Sequence, residues 1–122
     1  MAGIAVAALQ DPAPKTVWDG VYTNDQAERG NAAFMKNCAS CHDLGSEFSG
    51  TAFTGKFNGQ TAYDLFDTIR TKMPMDNPGG LTKENYIDIV SFMFKSNSYP
   101  AGDAELQPKD ETLKQIKIEP KP

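Results

Sequence analysis

The chain has 122 residues, of which 39% are hydrophobic and 23% charged, so its length suits a single domain. The formal net charge of −4 argues against nucleic acid as a partner, because phosphate binding depends on Lys and Arg. The acidic balance instead favours a protein partner with a basic docking patch. No apolar stretch is long enough to cross a bilayer, so we do not expect a membrane-spanning protein.

The chain begins with a short apolar stretch, Met1 to Leu9, in which Ala5-Val6-Ala7 resembles a signal-peptidase site. We interpret this stretch as the remnant of an export signal, although it lacks the basic residues that usually open one. A short disordered terminus is the alternative. Two prolines among polar residues make 10–16 typical of a linker, so residues 1–16 are predicted to be a signal remnant and linker.

The segment from Val17 to Tyr22 carries large apolar side chains, which are costly to leave in water. We therefore expect it to lie against the domain, with Trp18 or Tyr22 covering part of the surface. The alternative is that Trp18 contacts a bound cofactor or a partner.

A first helix is predicted over residues 24–37. Thr23, with Gln26 three residues later, fits a capping box at its start. Apolar or small residues recur at helical spacing along it, at Ala27, Gly30, Phe34 and Cys38. Because a glycine inside a helix costs stability, Gly30 indicates the close approach of another helix.

The sequence Cys38-Ala39-Ser40-Cys41-His42 follows this helix and reads C-x-x-C-H, the attachment signature of c-type haem. Two thiols separated by two residues can add to the two vinyl groups of one haem. The histidine after the second cysteine then reaches the iron as the proximal ligand. We predict one haem c, attached through Cys38 and Cys41 and ligated by His42.

Two other chemistries use a C-x-x-C pair. A dithiol redox pair would need a βαβ context, which the sequence does not suggest. A zinc site would need two further ligands, and the chain's two cysteines and single histidine all lie in this motif.

Residues 43–60 are predicted to be a loop rich in Gly, Ser and Thr that carries Phe48, Phe53 and Phe57. We interpret these aromatic residues as packing against the haem edge, with a small local cluster as the alternative. A second helix is predicted over 62–72, with Thr61 and Asp64 forming its capping box.

Residues 73–81 read as a turn-rich loop, and a third helix is predicted over 83–96 with Thr82 as its cap. Its apolar stripe is predicted to be buried; the stripe comprises Tyr86, Ile89, Val90, Phe92 and Met93. The segment 101–122 is rich in proline and charge, and we interpret it as an extended or flexible tail.

No second histidine exists, so the candidates for the second axial position are a methionine sulfur, a lysine amine or no ligand. Methionine is favoured, because a thioether suits ferrous iron. Met35 and Met93 fall on predicted helices at core spacing and are interpreted as packing residues. Between Met73 and Met75 we choose Met73, because Pro74 directly after it would fix the backbone beside the ligand.

Residues 24–99 resemble the class I, mitochondrial-like c-type cytochromes. Gly30 and Phe34 stand where that family's first helix has its glycine and aromatic residue, and Ile89 and Phe92 look like the final-helix pair that packs on them. Met73-Pro74 is similar to the family's ligand loop. The resemblance implies an all-α, cytochrome c-like fold, with three main helices around one covalently bound haem c and extended N- and C-terminal segments. Residues 17–100 would form this domain.

Further motifs resemble small bacterial monohaem members, some of them paired with quinoprotein and other periplasmic dehydrogenases. These are Trp18 to Tyr22, the loop ending Pro78-Gly79-Gly80-Leu81, and Phe57-Asn58-Gly59-Gln60-Thr61, which is similar to a bacterial Trp-x-Gly-x-Thr stretch. Two features depart from the family pattern. No proline follows His42 before Met73 to orient the histidine ring, and Phe57 lacks an indole N–H for a haem propionate.

The function these observations favour is one-electron transfer between periplasmic redox proteins, such as a dehydrogenase, an oxidase or another cytochrome. The chain would be a carrier without catalytic residues of its own. One alternative is an electron-relay subunit bound in a larger dehydrogenase or respiratory complex. Another is a haem enzyme or ligand sensor with an open iron site.

Overall fold

The computed structural model describes residues 15–37, 49–74 and 77–122. Their elements are five helices and two short strands. The helices are α1 (Asn24–Asn37), α2 (Gly50–Phe57), α3 (Ala62–Lys72), α4 (Lys83–Ser96) and α5 (Asp110–Lys114), and the strands are β1 (Lys15–Thr16) and β2 (Ile116–Lys117). This architecture confirms the all-α prediction. The three predicted helices correspond to α1, α3 and α4.

Side-chain caps explain where α3 and α4 begin. The Thr61 hydroxyl accepts a hydrogen bond from the backbone N–H of Asp64 at 3.3 Å, and the Asp64 carboxylate accepts one from the Thr61 N–H at 2.9 Å. This pair is the predicted capping box. At α4, the Thr82 hydroxyl accepts from the Asn85 N–H at 3.0 Å. Both starts are therefore fixed by local sequence.

The cap of α1 forms only in part. The Thr23 hydroxyl accepts from the Gln26 N–H at 3.1 Å. The Gln26 side chain does not return to Thr23 but bonds the backbone of Leu106, donating to its carbonyl and accepting from its N–H, both at 2.8 Å. The predicted box is thus wrong in its second half, because a distant segment offers Gln26 two buried partners.

The central packing contact joins α1 and α4. A Cβ added to Gly30 would overlap the Asp88 carbonyl oxygen and lie 2.9 Å from the Cβ of Phe92. The rings of Phe34 and Phe92 pack beside this point, with centroids 5.6 Å apart. The predicted close approach of a second helix at Gly30 is therefore confirmed.

Met35 corrects one expectation about the core. Met93 is 2% exposed, as a packing residue should be, but the Met35 side chain is 64% exposed. The buried face of α1 passes through Gly30 and Phe34, and Met35 lies about 100° further around the helix.

The predicted loop at 43–60 also contains a helix. Within its described part, α2 runs through residues 50–57 and buries Phe53 and Phe57, which stand four residues apart. Glycine and threonine are weak helix formers, so helix propensity does not predict this helix. Phe48 lies outside the described residues.

The two ends of the domain pack against each other. Val17 and Tyr22 are buried, which confirms that this segment lies against the domain. Strand β1 pairs in parallel with β2, and the Trp18 indole N–H donates to the Glu119 carbonyl at 2.9 Å. Residues 15–18 and 115–119 are therefore joined to each other.

The segment 101–122 is extended over much of its length but is not loosely attached. Its apolar side chains are each at most 3% exposed: Leu106, Leu113, Ile116 and Ile118. Burying one such side chain contributes about 1.5–3 kcal/mol relative to exposure. Arg29 on α1 adds an ion pair to Glu105 at 2.7 Å, and this hydrogen bond lowers the pKa of Glu105. The segment is thus attached to the domain, because sparse apolar residues without a period can still be anchors.

Tyr99 follows α4 and is buried in an aromatic cluster. Its ring meets that of Trp18 edge-on, with centroids 4.9 Å apart, and lies 5.7 Å from that of Phe94. Its hydroxyl has no hydrogen-bond partner among the described residues, and burial raises the pKa of this phenol. Its carbonyl accepts a hydrogen bond of 2.6 Å from the Tyr22 hydroxyl.

We expect Gly30→Ala to lower the free energy of unfolding by about 1–3 kcal/mol or more, because the methyl group would force α1 and α4 apart. Gly55→Ala in α2 is the control, since an added Cβ there meets no described atom within 4 Å. The control should leave stability unchanged or raise it by up to about 1 kcal/mol. Urea denaturation measures both. Equal effects would contradict the close contact at Gly30.

Tyr99→Phe should leave the free energy of unfolding unchanged or raise it slightly, because it removes a buried hydroxyl without a described partner. Tyr22→Phe, which removes a buried hydrogen bond, should lower it by about 1 kcal/mol. The same denaturation assay compares them. A loss for Tyr99→Phe as large as that for Tyr22→Phe would show that the Tyr99 hydroxyl does have a partner.

Candidate functional site

The C-x-x-C-H motif, including Cys38, Cys41 and His42, lies outside the described residues. Helix α1 ends at Asn37, the residue directly before Cys38. The motif therefore begins where the helix that packs on α4 stops.

Met73 lies at the end of α3, where the chain leaves the helix. Its backbone is extended, with φ −127° and ψ 151°, and its N–H donates to the Ile69 carbonyl at 2.8 Å. The side chain is half-buried and packs against the hydrophobic core. Met75, the other candidate ligand, lies outside the described residues. The position of Met73 is thus fixed by the last turn of a well-capped helix.

The loop after Met73 is closed by one tyrosine. The Tyr86 hydroxyl, from the first turns of α4, donates to the Met73 carbonyl at 2.6 Å and accepts from the Leu81 N–H at 3.2 Å. The Tyr86 side chain is only 1% exposed. Sequence patterning identified Tyr86 as a core residue, but it gave no sign that its hydroxyl would bond this loop.

Turns shape the loop between these two bonds. The Asn77 N–H donates to the Pro74 carbonyl and the Gly80 N–H to the Asn77 carbonyl, both at 2.9 Å. Gly79 has φ +75°, a backbone angle that residues with a Cβ rarely adopt. A glycine at this position therefore permits the turn, in keeping with the predicted turn-rich loop.

Phe53 and Phe57 are buried, at 0% and 4% exposure, and their ring centroids lie 5.1 Å apart. Phe53 also lies 6.3 Å from the ring of Tyr99. The local cluster that was the alternative interpretation is therefore present. Contact of Phe53 and Phe57 with a haem edge stays a prediction, since a cluster of this kind can also border a flat cofactor.

Arg70 offers a hydrogen-bond donor that sequence reasoning missed. Its Nη2 bonds the Asp67 carboxylate at 2.7 Å, and its guanidinium lies 5.5 Å from the ring centroid of Phe66. Its Nε–H is buried and has no acceptor among the described residues. An unpaired buried donor is costly, and a carboxylate is the acceptor that would satisfy it. Because haem carries two propionate carboxylates, a donor three residues before Met73 fits that cofactor.

Within 15–37, 49–74 and 77–122, no group of three or more His, Cys, Asp or Glu could hold a metal ion. The same residues contain no helix that is long and apolar enough to cross a membrane. The predicted iron ligands are of another kind, one imidazole and one thioether, and only Met73 of the two lies in the described chain.

Comparison with known proteins identifies a family for this chain. A family model described as cytochrome c oxidase, cbb3-type, subunit III matches residues 25–93, from the start of α1 into α4. The match includes the C-x-x-C-H motif and Met73. No curated protein and no solved structure matches the chain.

Members of this family are c-type cytochrome domains, which hold haem and transfer electrons. The helices α1, α3 and α4 have the order and close α1–α4 contact expected of that fold. Since the match covers more than half of the chain, the chain belongs to the cytochrome c oxidase, cbb3-type, subunit III family and has the all-α cytochrome c fold.

Proposed function

We propose that this chain is a small bacterial electron carrier with a single haem c, bound covalently through Cys38 and Cys41 and ligated by His42 and Met73. The observation that supports the proposal most strongly is the family match over 25–93, because it spans both the attachment motif and the Met73 loop. The carrier would work in the periplasm, between redox proteins.

Different residues of the chain would have different roles in such a carrier. The two thiols fix the cofactor, and the His42 imidazole and Met73 thioether fill both axial positions. When bound, haem c supplies the one-electron change between ferric and ferrous iron. Phe53 and Phe57 would exclude water from its edge, while the Arg70 Nε–H would hold a propionate.

Two departures from the class I pattern bear on this assignment. Without the usual proline after His42, either another carbonyl within residues 43–52 orients the imidazole N–H or that hydrogen bond is absent. Phe57 lacks the indole N–H found at that position in bacterial members. The Nε–H of Arg70, which has no acceptor among the described residues, is an alternative donor. The proposal keeps the family's site but changes two of its supporting bonds.

A relay subunit of a larger complex is the second candidate, and the family description, which names an oxidase subunit, favours it. Residues 101–122 do not offer a free docking arm for such a complex, because their apolar side chains are buried in the domain. Sedimentation of the isolated holoprotein as a compact monomer would count against constitutive assembly.

Met73→Ala should lower the reduction potential by on the order of 0.1 V, because thioether ligation favours ferrous iron and axial ligands tune the potential over about 0.8 V. It should also admit carbon monoxide to ferrous iron. Potentiometric titration and visible spectra with and without carbon monoxide measure these effects.

Met75→Ala and Met35→Ala are the matched variants for this experiment. Met35 is exposed on α1, so its replacement should change neither the potential nor the carbon monoxide response. An effect confined to Met75→Ala would make Met75 the ligand. Prompt carbon monoxide binding by the unmodified protein would favour an open-site haem enzyme or sensor instead.

Covalent attachment gives a separate prediction. Haem should remain with the unmodified chain on a denaturing gel and should be released from the double variant Cys38→Ala, Cys41→Ala, because no thioether bond then exists. Haem staining and the pyridine haemochrome spectrum measure this, and Ser40→Ala serves as the control. Haem that leaves the unmodified chain on denaturation would contradict attachment at this motif.

A further inference from the structure

We propose that Tyr86 is a positioning residue that holds the Met73 loop closed, and that its hydroxyl thereby limits how readily the Met73 thioether leaves the iron. This inference rests on the proposed function, in which Met73 is an axial ligand. It concerns a residue outside the cofactor's own contacts.

Tyr86 makes two hydrogen bonds through its hydroxyl. A single hydroxyl donates to the carbonyl of Met73 at 2.6 Å and accepts from the N–H of Leu81 at 3.2 Å. Its two partners are the first and last residues of the 73–81 loop. The hydroxyl thus joins both ends of the segment that carries the candidate ligand.

Backbone hydrogen bonds within the loop itself also shape it. The backbone hydrogen bonds described within 74–80 run from Asn77 to Pro74 and from Gly80 to Asn77, so they are local turns. Such turns shape the loop without attaching it to the helices. Among the hydrogen bonds of the described residues, those of Tyr86 are the ones that tie the far end of the loop to the helical core.

The Tyr86 side chain, which makes these two bonds, is held rigidly. Tyr86 is 1% exposed and stands on α4, which begins at the Thr82 cap and packs tightly on α1 at Gly30. A buried phenol on such a helix has little freedom to follow a moving loop. The hydroxyl is therefore a fixed reference point for the Met73 backbone.

The two hydrogen bonds of Tyr86 favour the closed loop over the opened one. An external ligand can bind six-coordinate iron only after the methionine has left, so its binding rate reports the population of the opened loop. Removing the hydroxyl leaves the Met73 carbonyl and Leu81 N–H without their partner in the closed loop, whereas water can satisfy both in the opened one. A hydrogen bond of this kind contributes about 1 kcal/mol, which predicts an opened population roughly five- to tenfold larger.

The experiment compares Tyr86→Phe with Tyr22→Phe in the ferric holoprotein. Tyr22 is a matched control, since its hydroxyl also donates to a backbone carbonyl at 2.6 Å and its side chain is also 1% exposed. Its partner is Tyr99, beyond the other end of α4. The two variants therefore lose the same kind of bond at different places.

Imidazole binding, followed by stopped-flow absorbance, is the readout. We expect Tyr86→Phe to bind imidazole about five- to tenfold faster than the unmodified protein, and Tyr22→Phe to bind at the unmodified rate despite a similar loss of stability. Equal rates for all three proteins would overturn the proposal. Equal acceleration in both variants would also overturn it, because the effect would then follow stability alone.

A measurement on the unmodified holoprotein keeps the proposal testable if Tyr86→Phe does not fold. The Leu81 amide should be protected from hydrogen exchange, and its exchange at the rate of an unstructured amide would contradict the bond to Tyr86. The methionine–iron charge-transfer band separates the two levels of inference. If the unmodified protein lacks this band, the ligand assignment fails, whereas a band with unchanged imidazole kinetics in Tyr86→Phe refutes only the role of Tyr86.

Discussion

The close contact of α1 with α4 at Gly30 is the constraint on which the other parts of the structure depend. There the Asp88 carbonyl and Phe92 occupy the space that a side chain at position 30 would need. Backbones can approach this closely only where one residue lacks a Cβ. The contact fixes the position of α1 relative to α4. Helix α1 ends directly before the attachment motif in the sequence, and Tyr86 stands in the first turn of α4.

The site is therefore assembled from both partners of one helix pair. Helix α1 leads directly into Cys38, and α4 presents Tyr86 to the carbonyl of Met73. Helix α3 supplies Met73 itself and is held in place by the Thr61–Asp64 cap and its buried face. The loop that carries this candidate ligand can keep a defined position because the helices at its two ends are already fixed.

Much of this arrangement could be predicted from local sequence. The signals for it each lie within a few residues of sequence. They are the caps Thr61 and Thr82, the apolar periods of α1, α3 and α4, and the glycine inside α1. The features that were missed depend on distant partners. Gln26 turns from its cap to Leu106, the apolar residues of 101–122 find a surface made by other elements, and the Tyr86 hydroxyl bonds a loop whose path no short pattern encodes. Helix α2 was missed because its composition is poor in helix formers, so burial of Phe53 and Phe57 has to stabilise it.

Packing of the terminal segments also narrows how such a carrier can meet its partners. Trp18 and Tyr22 pack beside the end of α4, where the Tyr22 hydroxyl donates to the Tyr99 carbonyl, and the 101–122 segment buries its apolar side chains in the domain. These segments stabilise a small domain, for which a peptide core alone is marginal. Under the proposed function, docking would then use the surface of the helical domain and the chain's net charge of −4. Encounter with a basic partner would then weaken as ionic strength rises, because exposed charges are screened over about 10 Å at 0.1 M salt.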